Sequence, residues 1–169
     1  QATVSTQLLE RLTGQLQHRG PDNQQVMIHG NVGFGFRRLA IQDLSPAGNQ
    51  PMTRRDTLVF NGEFYGFRTE RQRREQLGVR CRSRSDAEVA LALLEQVGRD
   101  QALERLQGMF AFAWWRPQVG RLTLARDRCG QKPLYVWRGP TRTLAASELK
   151  AVVAAPSFPR DVSPEGLAA

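Results

Sequence analysis

Four short apolar runs in the second half of the chain constrain its fold more than any other feature. Turn signals separate them, at Pro117-Gln118, at RCGQKP (128–133) and at Gly139-Pro140. Runs rich in aromatic and branched side chains, bounded by glycine and proline, are typical of strands joined by short turns. We therefore predict a meander of antiparallel strands made of GMFAFAWWR (108–116), GRLTLARD (120–127), PLYVWR (133–138) and RTLAAS (142–147).

The first half of the chain adds further strands and a group of helices. Residues 24–42 predict a hairpin with Gly30-Asn31 as its turn, and TLVFNGEFYGF (57–67) predicts a strand that runs into irregular structure. Apolar spacing and capping signals predict helices at 5–17, at 68–77, from Ser85 onward, at 101–107 and at 147–155. Strands near both ends with helices between them predict a layered α+β fold in which helices cover the sheet faces.

Composition limits the classes of protein to which the chain can belong. At 169 residues with 40% hydrophobic side chains, it suits one domain with a real core. No apolar run reaches the roughly 18 residues of a membrane span, so we expect no membrane partner. Cys81 and Cys129 form neither a metal spacing nor a disulfide framework, which predicts a reduced, cytoplasmic setting.

The two ends of the sequence suggest that the chain is a fragment. It starts with Gln1, and Ser163-Pro164-Glu165 has the pattern of a helix start shortly before the sequence stops. We expect material to be missing at both ends.

The excess of basic over acidic residues does not by itself indicate a nucleic-acid partner. The net charge is +8, and the one cluster of arginines, RTERQRREQ (68–76), also contains Glu70 and Glu75. An arginine-rich RNA-binding module is one interpretation. Interleaved acids on a helix-like segment favour a solvated helix face, so we expect no nucleic-acid partner.

The segment Asn61-Gly62-Glu63 permits two interpretations. Asn-Gly is a strong signal for a tight turn between strands. A carboxylate directly after it, at the end of an apolar run, also suits a site that handles an amide. The familiar catalytic patterns are absent: the sequence has no phosphate-binding loop, no Gly-x-Ser-x-Gly elbow and no histidine spacing for a metal.

An ordered series of motifs favours the second interpretation. Together these motifs closely resemble the glutaminase domain of asparagine synthetase, a class II glutamine amidotransferase of the N-terminal-nucleophile (Ntn) hydrolase fold. The resemblance spans about residues 8–155 and implies a four-layer αββα sandwich, with helices outside two packed antiparallel sheets. The motifs are HRGPD (18–22), RRLAIQDLS (37–45), NQPM (49–52), VFNGEFY (59–65), SDAEV (85–89), LQGMFAFAWW (106–115), LARDRCGQKPLY (124–135) and ASELKAV (146–152).

The resemblance implies a role for each of five residues. The Asn61 side chain and the Gly62 main-chain N–H would form an oxyanion hole for the tetrahedral intermediate. Arg38 would hold the α-carboxylate of glutamine, Asp86 its ammonium group, and Glu63 would lie near the substrate amide.

Each of these residues also has a structural explanation. Arg38 would suit a surface beside Arg37, Asp86 would suit the first turn of a helix, and Asn61-Gly62 would suit a plain turn. The order of the motifs favours the catalytic interpretation for all of them together.

The resemblance also defines what this sequence lacks. In the family, the nucleophile is an N-terminal cysteine whose own α-amino group is the base, and an amine with a pKa of about 7.7–8.0 can accept a proton at neutral pH. The chain has no cysteine near Gln1, and we expect Cys81 and Cys129 to be ordinary thiols. Phe36 and Gly66 replace residues usual in the family. Truncation or a vestigial, non-catalytic scaffold domain would each explain the missing cysteine, and either way we expect the 169-residue chain to be inactive.

The domain and partner predictions follow from the same resemblance. Residues 1–155 would be the glutaminase-like domain, without its first strand, and residues 156–169 a linker into a C-terminal synthetase domain. Glutamine would be the substrate. The domain itself would need no cofactor, whereas ATP and Mg²⁺ would belong to the synthetase domain. The resemblance leaves open whether the protein forms a homodimer.

Overall fold

The computed structural model describes residues 4–161, which form strands and helices in an irregular alternation. One-turn 3₁₀ helices lie at Gln17–Arg19, Pro46–Gly48 and Pro117–Val119. The longer elements are α1 (Thr6–Gly14), β1 (Asn23–His29), β2 (Val32–Arg38), β3 (Met52–Thr53), β4 (Thr57–Phe64), α2 (Phe67–Gln76), α3 (Asp86–Arg105), β5 (Gly108–Arg116), β6 (Arg121–Arg126), β7 (Tyr135–Arg138), β8 (Thr143–Ala146) and α4 (Leu149–Val153).

The strands form two layers, and every pairing within a sheet is antiparallel. One layer is a four-stranded sheet in the order β3-β4-β5-β6. The other contains two separate hairpins, β1-β2 and β7-β8. Helix α1 packs on the first hairpin and α4 on the second, whereas α3 packs on β4 and α2 packs on α3. This arrangement is the predicted α+β architecture with helices outside two sheet layers.

A hydrophobic core lies between α3 and the four-stranded sheet. Side chains of α3 interlock there with apolar residues of β4 and β5, and burial of this kind stabilises a fold by about 25 cal/mol per Å² of apolar surface. The cluster contains Leu58, Phe60, Phe64, Val89, Leu91, Leu93, Leu94, Phe110, Phe112 and Trp114, all at most 4% exposed.

The prediction of one continuous meander is wrong at its midpoint. β5 and β6 pair with each other, as do β7 and β8, but β6 does not pair with β7. Asp127 explains the break, because its carboxylate accepts N–H groups from Cys129 (3.1 Å), Gln131 (2.9 Å) and Lys132 (3.0 Å) in the loop that follows β6. It also accepts the N–H of Phe110 (3.2 Å), which fixes this loop against β5.

The separate helix predicted at 101–107 is confirmed, because Gly98, with a φ of 78° and a ψ of 177°, divides α3 into two helices, and the second ends at Arg105. Helix α1 ends at Gly14, before the predicted residue 17, with Ser5 as its N-cap. The helix start predicted at Ser163 lies outside the described residues, and the domain boundary after residue 155 stays a prediction.

Asn61 and Gly62 lie inside β4, so the turn interpretation of these residues is wrong. Asn61 is opposite Ala111 and Gly62 opposite Phe110 in the β4-β5 register. β4 therefore continues past the predicted end of the strand to Phe64. Among residues 4–161, no helix has both the length and the apolar character that a bilayer crossing requires.

Candidate active site

A cavity of about 960 Å³ lies between the two sheet layers. Its walls come from strands of both layers and from α1 and α4. Small-molecule sites typically measure about 300–1,000 Å³, so this cavity can hold a free amino acid. The five residues predicted to form the site all line it: Arg38, Asn61, Gly62, Glu63 and Asp86.

The side-chain amide of Asn61 is an unusual polar group of the cavity. Its Nδ2 is buried and has no hydrogen-bond partner among the described residues. A buried donor without a partner costs about 1–3 kcal/mol, and in a native structure such a group commonly has a functional explanation. This donor is therefore available for a ligand acceptor in the cavity.

The Gly62 main chain is directed toward the edge of β4 that faces away from β5. Along a strand, alternate residues present their N–H groups to the same edge. Phe60 and Phe64 use this edge: the N–H of Phe60 donates to the Gln50 side chain (2.6 Å) and that of Phe64 to Asp86 (2.9 Å). Gly62 lies between them, so its N–H points to the same side, and the residues directly before and after Gly62 line the cavity.

Gly62 has a packing requirement that sequence reasoning missed. A Cβ at this position would overlap the main-chain oxygen of Met109 and come within 2.7 Å of the Phe110 Cα. Sequence analysis considered only the main-chain N–H of this glycine, as a donor to an oxyanion. The structure adds that β5 leaves no room for a side chain at this position.

The position of Asp86 is compatible with both interpretations considered for it. It lies in the first turn of α3, where its Oδ1 accepts the N–H of Ala87 (2.9 Å), and it also lines the cavity. Burial raises the pKa of Asp86, and the nearby charge of Glu63 adds to the rise, although the N–H groups of Phe64 and Ala87 oppose it. A cationic group of a ligand would relieve this repulsion, so the site favours an ammonium ion.

Arg38 ends β2 and is only 8% exposed, so the interpretation of Arg38 as a surface arginine is wrong. Its Nη1 donates to the Ser45 main-chain oxygen (2.8 Å) and to Asn49 Oδ1 (2.6 Å), and its Nη2 donates to the main-chain oxygen of Asp43. A guanidinium has five N–H groups, so two are left for a ligand. Two donors are what a bidentate carboxylate needs.

Sequence reasoning missed Gln50 and Asp43 as contributors to the site. The Gln50 side chain is buried and bonds both the N–H (2.6 Å) and the C=O (3.1 Å) of Phe60, so it substitutes for a neighbouring strand along the β4 edge. The contacts of Asp43 reach a loop 41 residues away. Both lie in quoted motifs, NQPM and RRLAIQDLS, but local spacing carries no signal for such distant partners.

Neither cysteine belongs to the cavity. Cys81 is half-buried against the core of α3, and burial together with the charge of Glu88 raises the pKa of its thiol. Cys129 is exposed on the loop after β6. A raised pKa keeps a thiol protonated and unreactive, which agrees with the interpretation of Cys81 as an ordinary thiol.

Comparison with known proteins places these features in a family. A family model described as "Glutamine amidotransferase domain" matches residues 1–169. Among curated proteins, the chain is 36% identical to asparagine synthetase [glutamine-hydrolyzing] 1 of Bacillus subtilis, over 92% of this chain and 25% of that protein. It is 35% identical to asparagine synthetase [glutamine-hydrolyzing] 3 of the same species, over 99% of this chain and 28% of that protein.

A solved structure provides the corresponding fold. Glutamine phosphoribosylpyrophosphate amidotransferase from B. subtilis superposes with a TM-score of 0.65 at 23% identity, over 75% of this chain and 30% of that one. The chain spans about a quarter of the length of the curated relatives that it matches. The two antiparallel sheet layers with helices outside them are those of an Ntn hydrolase. The chain therefore belongs to the glutamine amidotransferase domain family.

Proposed function

We propose that this domain hydrolyses the side-chain amide of free L-glutamine and supplies the ammonia to a synthetase domain of the same longer protein. The observation that supports this most directly is the buried, unpartnered Asn61 amide in a cavity that Arg38 and Asp86 also line. Free glutamine presents a carboxylate, an ammonium group and an amide carbonyl. The cavity offers a suitable group for each of the three.

The proposed binding mode uses opposite charges at the α-carbon end of the substrate. The two spare N–H groups of Arg38 would bind the α-carboxylate, since a planar guanidinium fits a carboxylate in bidentate fashion. Asp86 would pair with the ammonium group, which would lower the raised pKa of this carboxyl. Glu63, next to Gly62 on β4, would lie near the reacting amide.

The proposed catalytic step depends on donors that are in place before the substrate binds. Attack on the amide carbon produces a tetrahedral intermediate whose oxygen carries a negative charge. The Asn61 Nδ2 and the Gly62 N–H would donate to that oxygen. Each donor of this kind contributes about 2.7–4 kcal/mol to the stability of a transition state.

We further propose that the nucleophile is a cysteine N-terminal to the residues of this chain, with its own α-amino group as the base. Among the described residues, Cys81 and Cys129 do not line the cavity, and the raised pKa of Cys81 disfavours the thiolate. The thiol would form a thioester and release ammonia, and water would then hydrolyse the thioester to glutamate. The 169-residue chain alone would bind glutamine without turning it over.

The remaining predictions concern the longer protein. Because its relatives are named asparagine synthetases and are about four times longer, we propose a C-terminal domain that uses ATP and Mg²⁺ to activate a carboxylate acceptor. We propose a cytoplasmic location for it. A purely scaffolding domain would have no use for an unpartnered buried amide, so the catalytic proposal is favoured.

The test compares the 169-residue chain with the whole protein. Calorimetry should detect L-glutamine binding to both, whereas ammonia release should occur only with the whole protein. Replacing its N-terminal cysteine by alanine should abolish ammonia release and preserve binding. Ammonia release by the 169-residue chain would refute the proposed nucleophile, and absence of glutamine binding to either protein would refute the proposed substrate.

A further inference from the structure

The two loops that carry the charged site residues are joined through a single buried carboxylate. Arg38 is followed by loop 39–49, and Asp86 is preceded by loop 77–85. We propose that Asp43 is a positioning residue that fixes the distance between Arg38 and Asp86, and that it thereby selects free α-amino acids over amides that lack one of the two charges. This inference rests on the proposed function, because it assigns glutamine to the cavity.

Asp43 contacts both loops at once. Its Oδ1 accepts the N–H (2.8 Å) and the hydroxyl (2.6 Å) of Ser45, which closes loop 39–49 on itself. Its Oδ2 accepts the N–H of Arg84 (2.7 Å), two residues before Asp86. Its main-chain oxygen accepts from the guanidinium of Arg38. One residue that is 7% exposed therefore touches the side chain of one charged group and the backbone leading to the other.

The loop before Asp86 is held as a rigid unit by the helix that follows it. The carboxylate of Glu88, in the first turn of α3, accepts the N–H groups of Arg82 (2.9 Å) and Ser83 (2.6 Å). Glu88 lies three residues after Ser85, which is the spacing of a capping box, but its carboxylate reaches further back, to this loop. Within residues 4–161, the bond from Arg84 to Asp43 is the hydrogen bond that connects this unit to loop 39–49.

The charge of Asp43 makes this connection strong. The Ser45 hydroxyl and the Arg84 N–H lower the pKa of Asp43, and the positive charge of Arg38 acts in the same direction. Asp43 is therefore ionised at neutral pH, and hydrogen bonds to an ionised acceptor are about twice as strong as neutral ones. An asparagine at this position would present an NH₂ group to one of the two sets of donors, so it could not hold both loops.

The oxyanion donors do not depend on this connection. Asn61 and Gly62 lie on β4, which is held by β5 and by the side chain of Gln50. Loss of the Asp43 bridge should therefore change how the α-carbon end of the substrate is recognised and leave the chemistry at the amide intact. This separation distinguishes a positioning role from a general loss of structure.

The experiment uses the whole protein with the variants D43N, S45A and D100N. Asp100 is an exposed aspartate on α3 and controls for the substitution itself, and S45A removes one bond within the loop but keeps the bridge to Arg84. The substrates are L-glutamine and glutaramate, the same amide without the ammonium group. For D43N we expect KM for glutamine to rise about tenfold or more with kcat nearly unchanged, since one charge-assisted bond is lost. The preference for glutamine over glutaramate should shrink by a similar factor.

The two control variants should show little change in KM. S45A should change KM by less than about threefold, because the bond that it removes lies within loop 39–49 and the bridge from Asp43 to Arg84 stays in place, and D100N should match the wild type. An unchanged KM in D43N, or an equal fall of kcat/KM for both substrates, overturns the inference. Wild-type protein that does not use glutamine refutes the proposed function and this inference with it.

If D43N does not fold, amide hydrogen exchange in the wild type decides the question. Saturating L-glutamine should slow exchange at the Arg84 N–H, since ligand binding at both charged groups would tighten the bridge. Exchange at Arg84 that is indifferent to glutamine overturns the inference.

Discussion

The two faces of β4 differ in almost every physical property. Leu58, Phe60 and Phe64 belong to the core cluster with α3 and are at most 4% exposed. The alternating residues Val59, Asn61 and Glu63 are partly exposed and line the cavity. One face thus anchors the strand by apolar burial, and this leaves the other face free to hold a polar donor without a partner. The difference shows how a single strand can supply stability and a site together.

The largest expected effect is on the core face, from Leu58→Ala. Deleting a fully buried leucine side chain should lower the free energy of unfolding by about 2–5 kcal/mol, because the removed atoms leave a cavity in close-packed surroundings. Val59→Ala, one residue away on the other face, should cost about 1 kcal/mol or less, because its side chain has fewer neighbours to lose. Urea unfolding of the 169-residue chain measures both. Equal losses would contradict the division between the two faces.

The next effect is on the cavity face and concerns activity rather than stability. Asn61→Ala should lower kcat for glutamine hydrolysis by the whole protein about 10²–10³-fold, the usual effect of losing one oxyanion donor. Its free energy of unfolding should not fall and should rise by up to about 1–3 kcal/mol, because the substitution removes a buried donor that has no hydrogen-bond partner among the described residues.

Asn23→Ala on β1 is the matched control for this substitution and should leave kcat unchanged. A large loss of stability in Asn61→Ala with kcat preserved would show that the amide has a structural role.

Sequence analysis succeeded where interactions follow a local period. The apolar runs of β4 and β5 and the leucines of α3 predicted the core, since alternation and helical spacing report directly on burial. It failed for the end of β4, because Asn61-Gly62 is typical of turns and no local signal shows that a polar pair faces a cavity. The order of motifs predicted five residues that prove to line one cavity, whereas periodicity alone did not single them out.

Distant contacts through carboxylates account for most of what the sequence left out. Asp127 stops the predicted meander by binding N–H groups on both sides of a loop, including that of Phe110, 17 residues away. Asp43 reaches Arg84 across 41 residues. An aspartate in a loop predicts a turn. Which backbone N–H groups its carboxylate accepts depends on how the sheet and helix layers pack.

The smallest expected effect concerns how stability depends on pH. Two buried aspartates, Asp127 and Asp86, have pKa values that are shifted in opposite directions. Asp127 has a lowered pKa, because its backbone hydrogen bonds outweigh the effect of burial. It therefore stabilises the fold above the ordinary pKa of about 3.9, and this stability is lost as the pH falls through its lowered pKa.

The pKa of Asp86 is shifted in the opposite direction, so its effect on stability depends on pH with the opposite sign. Its raised pKa, caused mainly by burial, means that its contribution to stability is present below pH 3.9 or so and is lost as the pH rises through the raised value. Each unit of such a shift corresponds to about 1.4 kcal/mol. Compared with Asp86→Asn, the wild type should lose stability as the pH rises above about 4, as measured by urea unfolding at several pH values.

Saturating L-glutamine should remove that loss, because an ammonium group beside Asp86 favours the charged carboxylate and offsets its burial. Glutaramate, which has no ammonium group, should not remove it. The comparison between the two ligands isolates the charge of the α-amino group, since both carry the same carboxylate and the same amide. A loss of stability that persists with glutamine would show that the ammonium group binds elsewhere, and it would separate Asp86 from the recognition of the substrate while leaving its role at the start of α3 intact.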